Sequence, residues 1–250
     1  MAGVDIRDCI QKIRQDGYCL LRGHFPIDPI EACREAFEPI AKSYLAAFAD
    51  KPNRGPCRHF IPLPFHPPFY HPAFFDDDCV YAIASGILGA EMVIDQFATD
   101  TPFRGSTHQE VHTDLQPLFP ERPELTLPPE LLAMNWPFVD VTPERGPFQI
   151  AAGTHNMPRA QALARIESGD IPLTSLLMEV GDVMIRDPRC LHRGTPNMTD
   201  TGRVVAVVSF MRPWFCRRLS DVHPIGRSLW QTLSEREQQL LQRIKIDESL

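Results

Sequence analysis

Hydrophobic positions recur with helical spacing at both ends of the chain and fall into short extended runs through its middle. Ile6, Cys9, Ile10 and Ile13 stand at i, i+3, i+4 and i+7, which predicts an amphipathic helix. Asp16-Gly17 then turns the chain into a short strand, Tyr18 to Leu21. The next stripe, Ile30, Cys33, Phe37, Ile40, Ala41, Tyr44 and Phe48, predicts a second helix with one face on a sheet. From Pro52 to Pro72 seven prolines interrupt any period, so neither a helix nor a central strand is expected there. That stretch reads as a loop over the fold, either a lid or an arm packed on the surface. A helix is expected from about Asp77 to Leu88, with Asp76, Asp77 and Asp78 at the positive end of its dipole.

Past residue 90 the pattern becomes β-rich. Runs at Met92–Ala98, Leu132–Val141, Phe148–Ala151, Leu173–Val180, Val183–Arg186 and Val204–Met211 are separated by turn signals such as Glu144-Arg145-Gly146-Pro147 and Gly181-Asp182. Strands at this spacing with few helices between them favour a sandwich or a cupin-like jelly roll over a doubly wound parallel sheet. The fold class is therefore mainly β with flanking α-helices. We expect one domain over 1–250: a helical segment to about 90, a β core over about 91–215, and a polar C-terminal helix over about 228–246. That last helix would lie on the surface or at an oligomer contact, and a homodimer is compatible with it.

Composition narrows the partners. A formal charge of -7 over 250 residues argues against a nucleic-acid or anionic-membrane surface, which would need a concentrated positive field. A small-molecule substrate fits better. The apolar stretch Val80 to Ala90 is far short of the ~20 residues a spanning helix needs, and the first residues lack the apolar core of a signal peptide. A soluble, cytoplasmic protein is the expectation. Seven scattered cysteines, never paired as Cys-x-x-Cys, suggest reduced core residues and not a disulfide framework or zinc finger.

Three separated residues carry the candidate chemistry. In an extended chain His112 and Asp114, at i and i+2, project to one face about 7 Å apart and can share an ion. A histidine beside an aspartate is common, so the pair alone is weak. His192 strengthens it, because the turn and strand Gly181–Asp187 return the chain late in the β region. Two imidazoles and one carboxylate on one face of an octahedron form the facial triad of non-haem Fe(II) oxygenases. Arg203 heads the apolar run Val204–Phe210 and needs an anion partner there. The distal carboxylate of 2-oxoglutarate would match its fork, and a salt bridge to Asp187 or Asp200 is the structural alternative.

The ordered set His-Thr-Asp at 112–114, ERGPFQIAAGTH at 144–155, GDVMIRDPRCLHRGTPN at 181–197 and Thr-Gly-Arg at 201–203 resembles the phytanoyl-CoA dioxygenase (PhyH-like) family. The resemblance spans roughly residues 15–215. It implies a double-stranded β-helix, iron held by His112, Asp114 and His192, Arg203 on 2-oxoglutarate, and O2 as the oxidant. It implies no single substrate; related enzymes oxidise acyl thioesters, amino acids and secondary metabolites by hydroxylation, desaturation or cyclisation. Retention of Asp114, which related halogenases replace by Gly or Ala, argues against halogenation. The ending Glu248-Ser249-Leu250 is no peroxisomal signal. A non-catalytic or 2-oxoglutarate-independent cupin-like metal protein is the alternative.

Other residues are secondary candidates. Gln109 and Thr107 flank the metal pair and would meet co-substrate or substrate. Arg58, His59 and Phe60 of the proline-rich segment would contact substrate. Asn135 and Gln149 are polar residues on apolar β segments, either facing the pocket or satisfied in the core. Thr154 and His155 shape a turn; His155 lacks a carboxylate two residues on and is not expected as a ligand. Trp136, Trp214 and Trp230 read as core or interface aromatics.

Overall fold

A computed structural model describes residues 4–122, 124–125, 127–217 and 222–249. Its centre is a pair of strands, β4 (Leu131–Pro137) and β9 (Val205–Met211), in which all seven side chains of each are buried. Complete burial requires cover on both faces, and the two faces are covered differently. Leu132, Met134 and Trp136 with Ala206, Val208 and Phe210 join the main core, shared with residues of helices α1 (Ile6–Asp16), α2 (Ile27–Phe48), α3 (Pro72–Phe75) and α4 (Asp78–Leu88). Leu131, Ala133 and Asn135 with Val205, Val207 and Ser209 face a cavity instead.

Around this pair an antiparallel sheet runs β1 (Tyr18–Leu21), β7 (Val183–Arg186), β4, β9, β3 (Val93–Pro102) and β2 (Arg58–Pro62). A smaller antiparallel sheet, β6 (Thr174–Leu176), β5 (Phe148–Ile150) and β8 (His192–Gly194), closes the other side. Ile150 and Leu176 from the small sheet meet Met184 and Val205 from the large one. The result is a jelly-roll sandwich that does not close into a barrel.

The predicted strand Tyr18–Leu21 and the helix ending at Leu88 are found, with Asp77 capping the latter through Val80 N–H. Asp76 and Asp78 instead pair with Arg236. Two expectations need correction. The proline-rich segment is not wholly loop: residues 58–62 add β2 at the sheet edge, where prolines cost no central ladder bond. The C-terminal tail is not one continuous surface helix. It breaks into α6 (Arg227–Trp230) and α7 (Glu235–Leu241), the second opened by a Ser234–Glu237 capping box, and it buries Leu233, Leu240, Leu241 and Ile244 in the main core. A further helix, α5 (Arg159–Glu167), intervenes between β5 and β6 where the sequence pattern gave no stripe.

Gly17 shows why helix α1 must end where it does. Its φ of +89° closes the helix, and a Cβ there would lie 2.7 Å from Cys190 Sγ, two residues from His192.

A two-histidine, one-carboxylate site in the sandwich

His192 opens β8, and His112 lies in a loop, not a regular strand, bridged to it antiparallel by mutual backbone hydrogen bonds of 2.9 Å. The i, i+2 argument for a strand is thus corrected: the local extension comes from pairing with β8, and Asp114 N–H is fixed by Pro188 O at 3.0 Å. The two imidazole centroids are 4.5 Å apart. His112 Nε2 lies 3.9 Å, and His192 Nε2 3.5 Å, from Asp114 Oδ1.

Each imidazole is aimed by its own backbone. His112 Nδ1 meets Glu110 O, and His192 Nδ1 meets Cys190 O, both at 2.8 Å. A carbonyl only accepts, so Nδ1 carries the proton in both rings and both Nε2 lone pairs point to the shared space. Burial and the neighbouring His192 lower the pKa of His112, favouring the neutral ring a metal needs. Burial alone would raise that of Asp114, but Arg186 and His192 beside it hold its carboxyl well below the usual carboxylate range. Arg186 Nη2 donates to Asp114 Oδ2 at 2.8 Å and leaves Oδ1 facing the histidines. Two neutral imidazole nitrogens and one carboxylate oxygen, all within 4.8 Å of one another, match the donor set of a ferrous facial triad.

The loop behind His192 is held by Thr154, whose Oγ1 donates to Ala151 O at 2.7 Å and accepts from Leu191 N at 2.8 Å. His155 is turned to Arg14 O, away from the triad. In front of the triad opens a cavity of about 480 Å³, a size suited to a small ligand.

Arg203 lies on this cavity, three per cent exposed, and its Nη2 donates to Asp100 Oδ2 at 2.8 Å. The ion pair is therefore to Asp100, not to Asp187 or Asp200; those two engage Arg189 and Arg104. Arg203 Nε is buried without a partner among the described residues. Arg58 Nη1 reaches the same Asp100 oxygen at 3.3 Å. Burial acts to raise the Asp100 carboxyl, and Arg203 and Arg58 overcome it, lowering its pKa from the ordinary value.

The secondary candidates divide by strand face. Phe60 and Asn135 line the cavity; Asn135 Nδ2 donates to Ala206 O while its Oδ1 has no hydrogen-bond partner among the described residues. Arg58 does not contact the main cavity: it is buried under β8, donating to Thr195 O at 2.8 Å. His59, one residue on in β2, points to the opposite face and packs on Tyr44 and Phe103. Gln149 faces outward too, bonded to Ser175 and Arg193. Gln109 reaches the cavity wall but spends its amide on Arg54 O and Gly194 N, tying loop to β8. Thr107 is exposed on a side depression beside it. Trp136 is a core residue, Trp230 packs against the core, and Trp214 is 60% exposed at a turn after β9. Sequence reasoning overlooked Arg186, Asp100 and Phe148. For Arg186 the signal was present, a lone arginine ending an apolar strand.

A sequence profile described as phytanoyl-CoA dioxygenase (PhyH) matches residues 13–205, more than three-quarters of the chain. The chain belongs to the PhyH family. This is a family of Fe(II)/2-oxoglutarate-dependent oxygenases, and solved structures share the fold. HygX from Streptomyces hygroscopicus, solved with nickel and 2-oxoglutarate, is 17% identical with a TM-score of 0.63, covering 90% of this chain and 91% of that one. EctD from S. alaskensis, solved with iron, is 20% identical with a TM-score of 0.61, covering 84% and 77%. SnoK, a non-heme alpha-ketoglutarate-dependent carbocyclase from nogalamycin biosynthesis, is 16% identical with a TM-score of 0.56, covering 82% and 83%. Among the described residues, no helix is long and apolar enough to cross a membrane.

Proposed function

We propose that this PhyH-family chain is a single-domain oxygenase of the cytoplasm that oxidises an unactivated C–H bond of a small metabolite, in secondary metabolism. The observation that carries the reading is the convergence, on one 480 Å³ cavity, of the His112, Asp114 and His192 ligand atoms with Arg203 and its unpartnered Nε. His112, Asp114 and His192 would hold iron, and Arg203 would receive the distal carboxylate of 2-oxoglutarate. Bound iron and 2-oxoglutarate would supply the oxidising power, O2 being consumed and 2-oxoglutarate leaving as succinate and CO2.

The protein's share is placement and shielding. Asp100 pre-aims Arg203, so the guanidinium is already ordered when the co-substrate arrives. Val141, Leu176, Met178, Met184, Val205 and Val207 form an apolar wall that keeps bulk water from the oxidant. In hydroxylation one oxygen atom enters the C–H bond and the other enters succinate. In desaturation or ring closure the substrate loses two hydrogens and water is released. The carbocyclase SnoK shares the fold, which is why ring closure stays within the proposal.

The test is a metabolite-library screen of the Fe(II)-loaded protein, reading succinate released from 2-oxoglutarate and identifying products by mass spectrometry. Substrate-dependent succinate should appear and vanish in His112→Ala and Asp114→Ala together with iron binding. Turnover retained in both variants would reject the assignment. Iron and 2-oxoglutarate bound without O2 uptake across the library would favour a binding protein, and turnover without 2-oxoglutarate another cupin chemistry.

A further inference from the structure

When the triad is assigned to iron and Arg203 to 2-oxoglutarate, one buried cation of the cavity, Arg186, shares its carboxylate partner with the metal site and keeps donors that no protein group among the described residues fills. Arg186, eight per cent exposed at the end of β7, lines the cavity and lies over the Phe148 ring, its Cζ 4.9 Å from the centroid. Among the described residues only Asp114 engages it, through Nη2; Nε and Nη1 are buried with no hydrogen-bond partner there. A guanidinium held in this way by a carboxylate and an aromatic ring is pre-organised, and its two idle donors are costly unless something fills them.

Charge and position single out this residue. Among the described residues, four arginines line the cavity, Arg54, Arg186, Arg203 and Arg217, against two aspartates, Asp100 and Asp114; Arg54 is exposed and lies over the Phe60 ring. Arg217 is matched by Asp95. Asp100 is shared by Arg203 and Arg58, which leaves positive charge there for one further carboxylate, the distal group of 2-oxoglutarate. A ferrous ion would be matched by Asp114 and the chelating carboxylate of the co-substrate. The charge of Arg186 remains. Register separates the two ends: Arg186 pairs with Ala133, which pairs with Ser209, whereas Asp100 pairs with Val205. Four residues along β9 is roughly 13 Å at the backbone, so Arg203 and Arg186 enter the cavity from separate rows of the sheet. Across the same row the small Ala133 leaves room above the sheet, and Ser209 and Gln96 continue it as a polar edge joined at 3.1 Å.

We infer that Arg186 is a substrate-recognition residue and that the substrate is a small carboxylic acid whose carboxylate occupies its free N–H groups. A carboxylate fits better than a phosphate, because the Asp114 carboxylate already sits on the same guanidinium and would repel a dianion more strongly. Contact with Asp114 also places the acid group beside the metal ligands, so the oxidised carbon lies within a few bonds of it. This inference rests on the oxygenase reading and deepens it.

The experiment uses the full chain loaded anaerobically with Fe(II) and 2-oxoglutarate, whose binding is measured first. Calorimetry then follows a panel of small carboxylic acids, each paired with its primary amide. At least one acid should bind about tenfold or more tightly than its amide, the scale of a charge-assisted hydrogen bond. Arg186→Gln should erase that preference while 2-oxoglutarate affinity stays within about threefold, and Arg186→Lys should keep part of it. Iron content is measured for each variant; if Arg186→Gln loses iron, the wild-type acid-to-amide ratio and Arg186→Lys decide. Amides that bind as well as acids throughout the panel, or a preference that survives Arg186→Gln, would overturn the inference. So would a loss of 2-oxoglutarate affinity in Arg186→Gln as large as that in Arg203→Ala, which would give Arg186 to the co-substrate. Failure of the wild type to bind iron and 2-oxoglutarate shows before any acid is added, and it removes the oxygenase reading and this inference with it.

Discussion

Replacing Arg203 with alanine should separate two roles of one side chain. In the folded protein its Nη2 lies 2.8 Å from Asp100 Oδ2, and Arg58 holds the same oxygen more loosely at 3.3 Å. Removing one partner of a buried pair costs about 3–5 kcal/mol when the survivor is stranded. Here Arg58 remains, so a loss of about 2–3 kcal/mol is expected, which a domain stable by roughly 5–15 kcal/mol survives. For 2-oxoglutarate the lost charge-assisted bonds are worth about 1.5–3 kcal/mol, or about 10- to 150-fold in affinity. Anaerobic titration of the Fe(II)-loaded variant reads the second effect and urea unfolding the first. The pH dependence checks the cause. Asp100 has a lowered folded-state pKa, so its contribution is present above the unfolded value, about 3.9, and is lost as pH falls through the folded one. The stability gap between wild type and Arg203→Ala should therefore be full at neutral pH and shrink below about pH 4. An unchanged dependence on 2-oxoglutarate concentration would refute the co-substrate role, and a gap undiminished in acid would refute the ion-pair account.

Other perturbations test the scaffold. A Cβ on Gly194 would lie 2.5 Å from Arg58 Cζ, and Arg58 is too buried and bonded to yield freely. Gly194→Ala should thus cost about 1–3 kcal/mol in chemical denaturation and weaken 2-oxoglutarate binding severalfold through the Asp100–Arg203 pair; unaltered binding would show that the pair is insulated from Arg58. Thr154→Val leaves the Leu191 N–H buried without its acceptor, an expected loss of about 1–3 kcal/mol. Because Leu191 adjoins His192, iron affinity measured by competitive chelation should fall too. Leu241→Ala, at a fully buried position of α7, should cost about 2–5 kcal/mol; a change near zero would return the C-terminal tail to the surface.

How far the site could be read ahead of its coordinates depended on whether each residue's role was local. The histidine and aspartate at 112 and 114 were legible because two residues of spacing suffice to put them together, whatever element carries them. The element itself was not legible, since His112 is extended by hydrogen bonds to His192, eighty residues away in sequence, which no local window contains. Arg203 was legible as a buried cation in need of an anion. Its protein partner was not, because Asp100 is brought alongside only by the β3–β9 register. The same limit explains β2 and the tail: prolines argue against a strand unless an edge is available, and the polar face of residues 229–244 gives no hint that Leu240 and Leu241 close the core. Arg58 and His59 show the limit most directly. Adjacent residues of a strand face opposite ways, so a segment could be placed near the site while the choice of which side chain enters it waited on the pleat; Phe60 enters, His59 does not, and Arg58 acts from beneath through Asp100. The chemistry of this cavity is therefore set at two distances: a ligand pair, His112 and Asp114, joined by short sequence spacing, and a third ligand and the charges brought in across strands. Arg186 belongs to the second kind. Its partner in the protein satisfies one of its nitrogens, the residue lines the cavity where a substrate would lie, and its other two nitrogens are buried without a partner among the described residues.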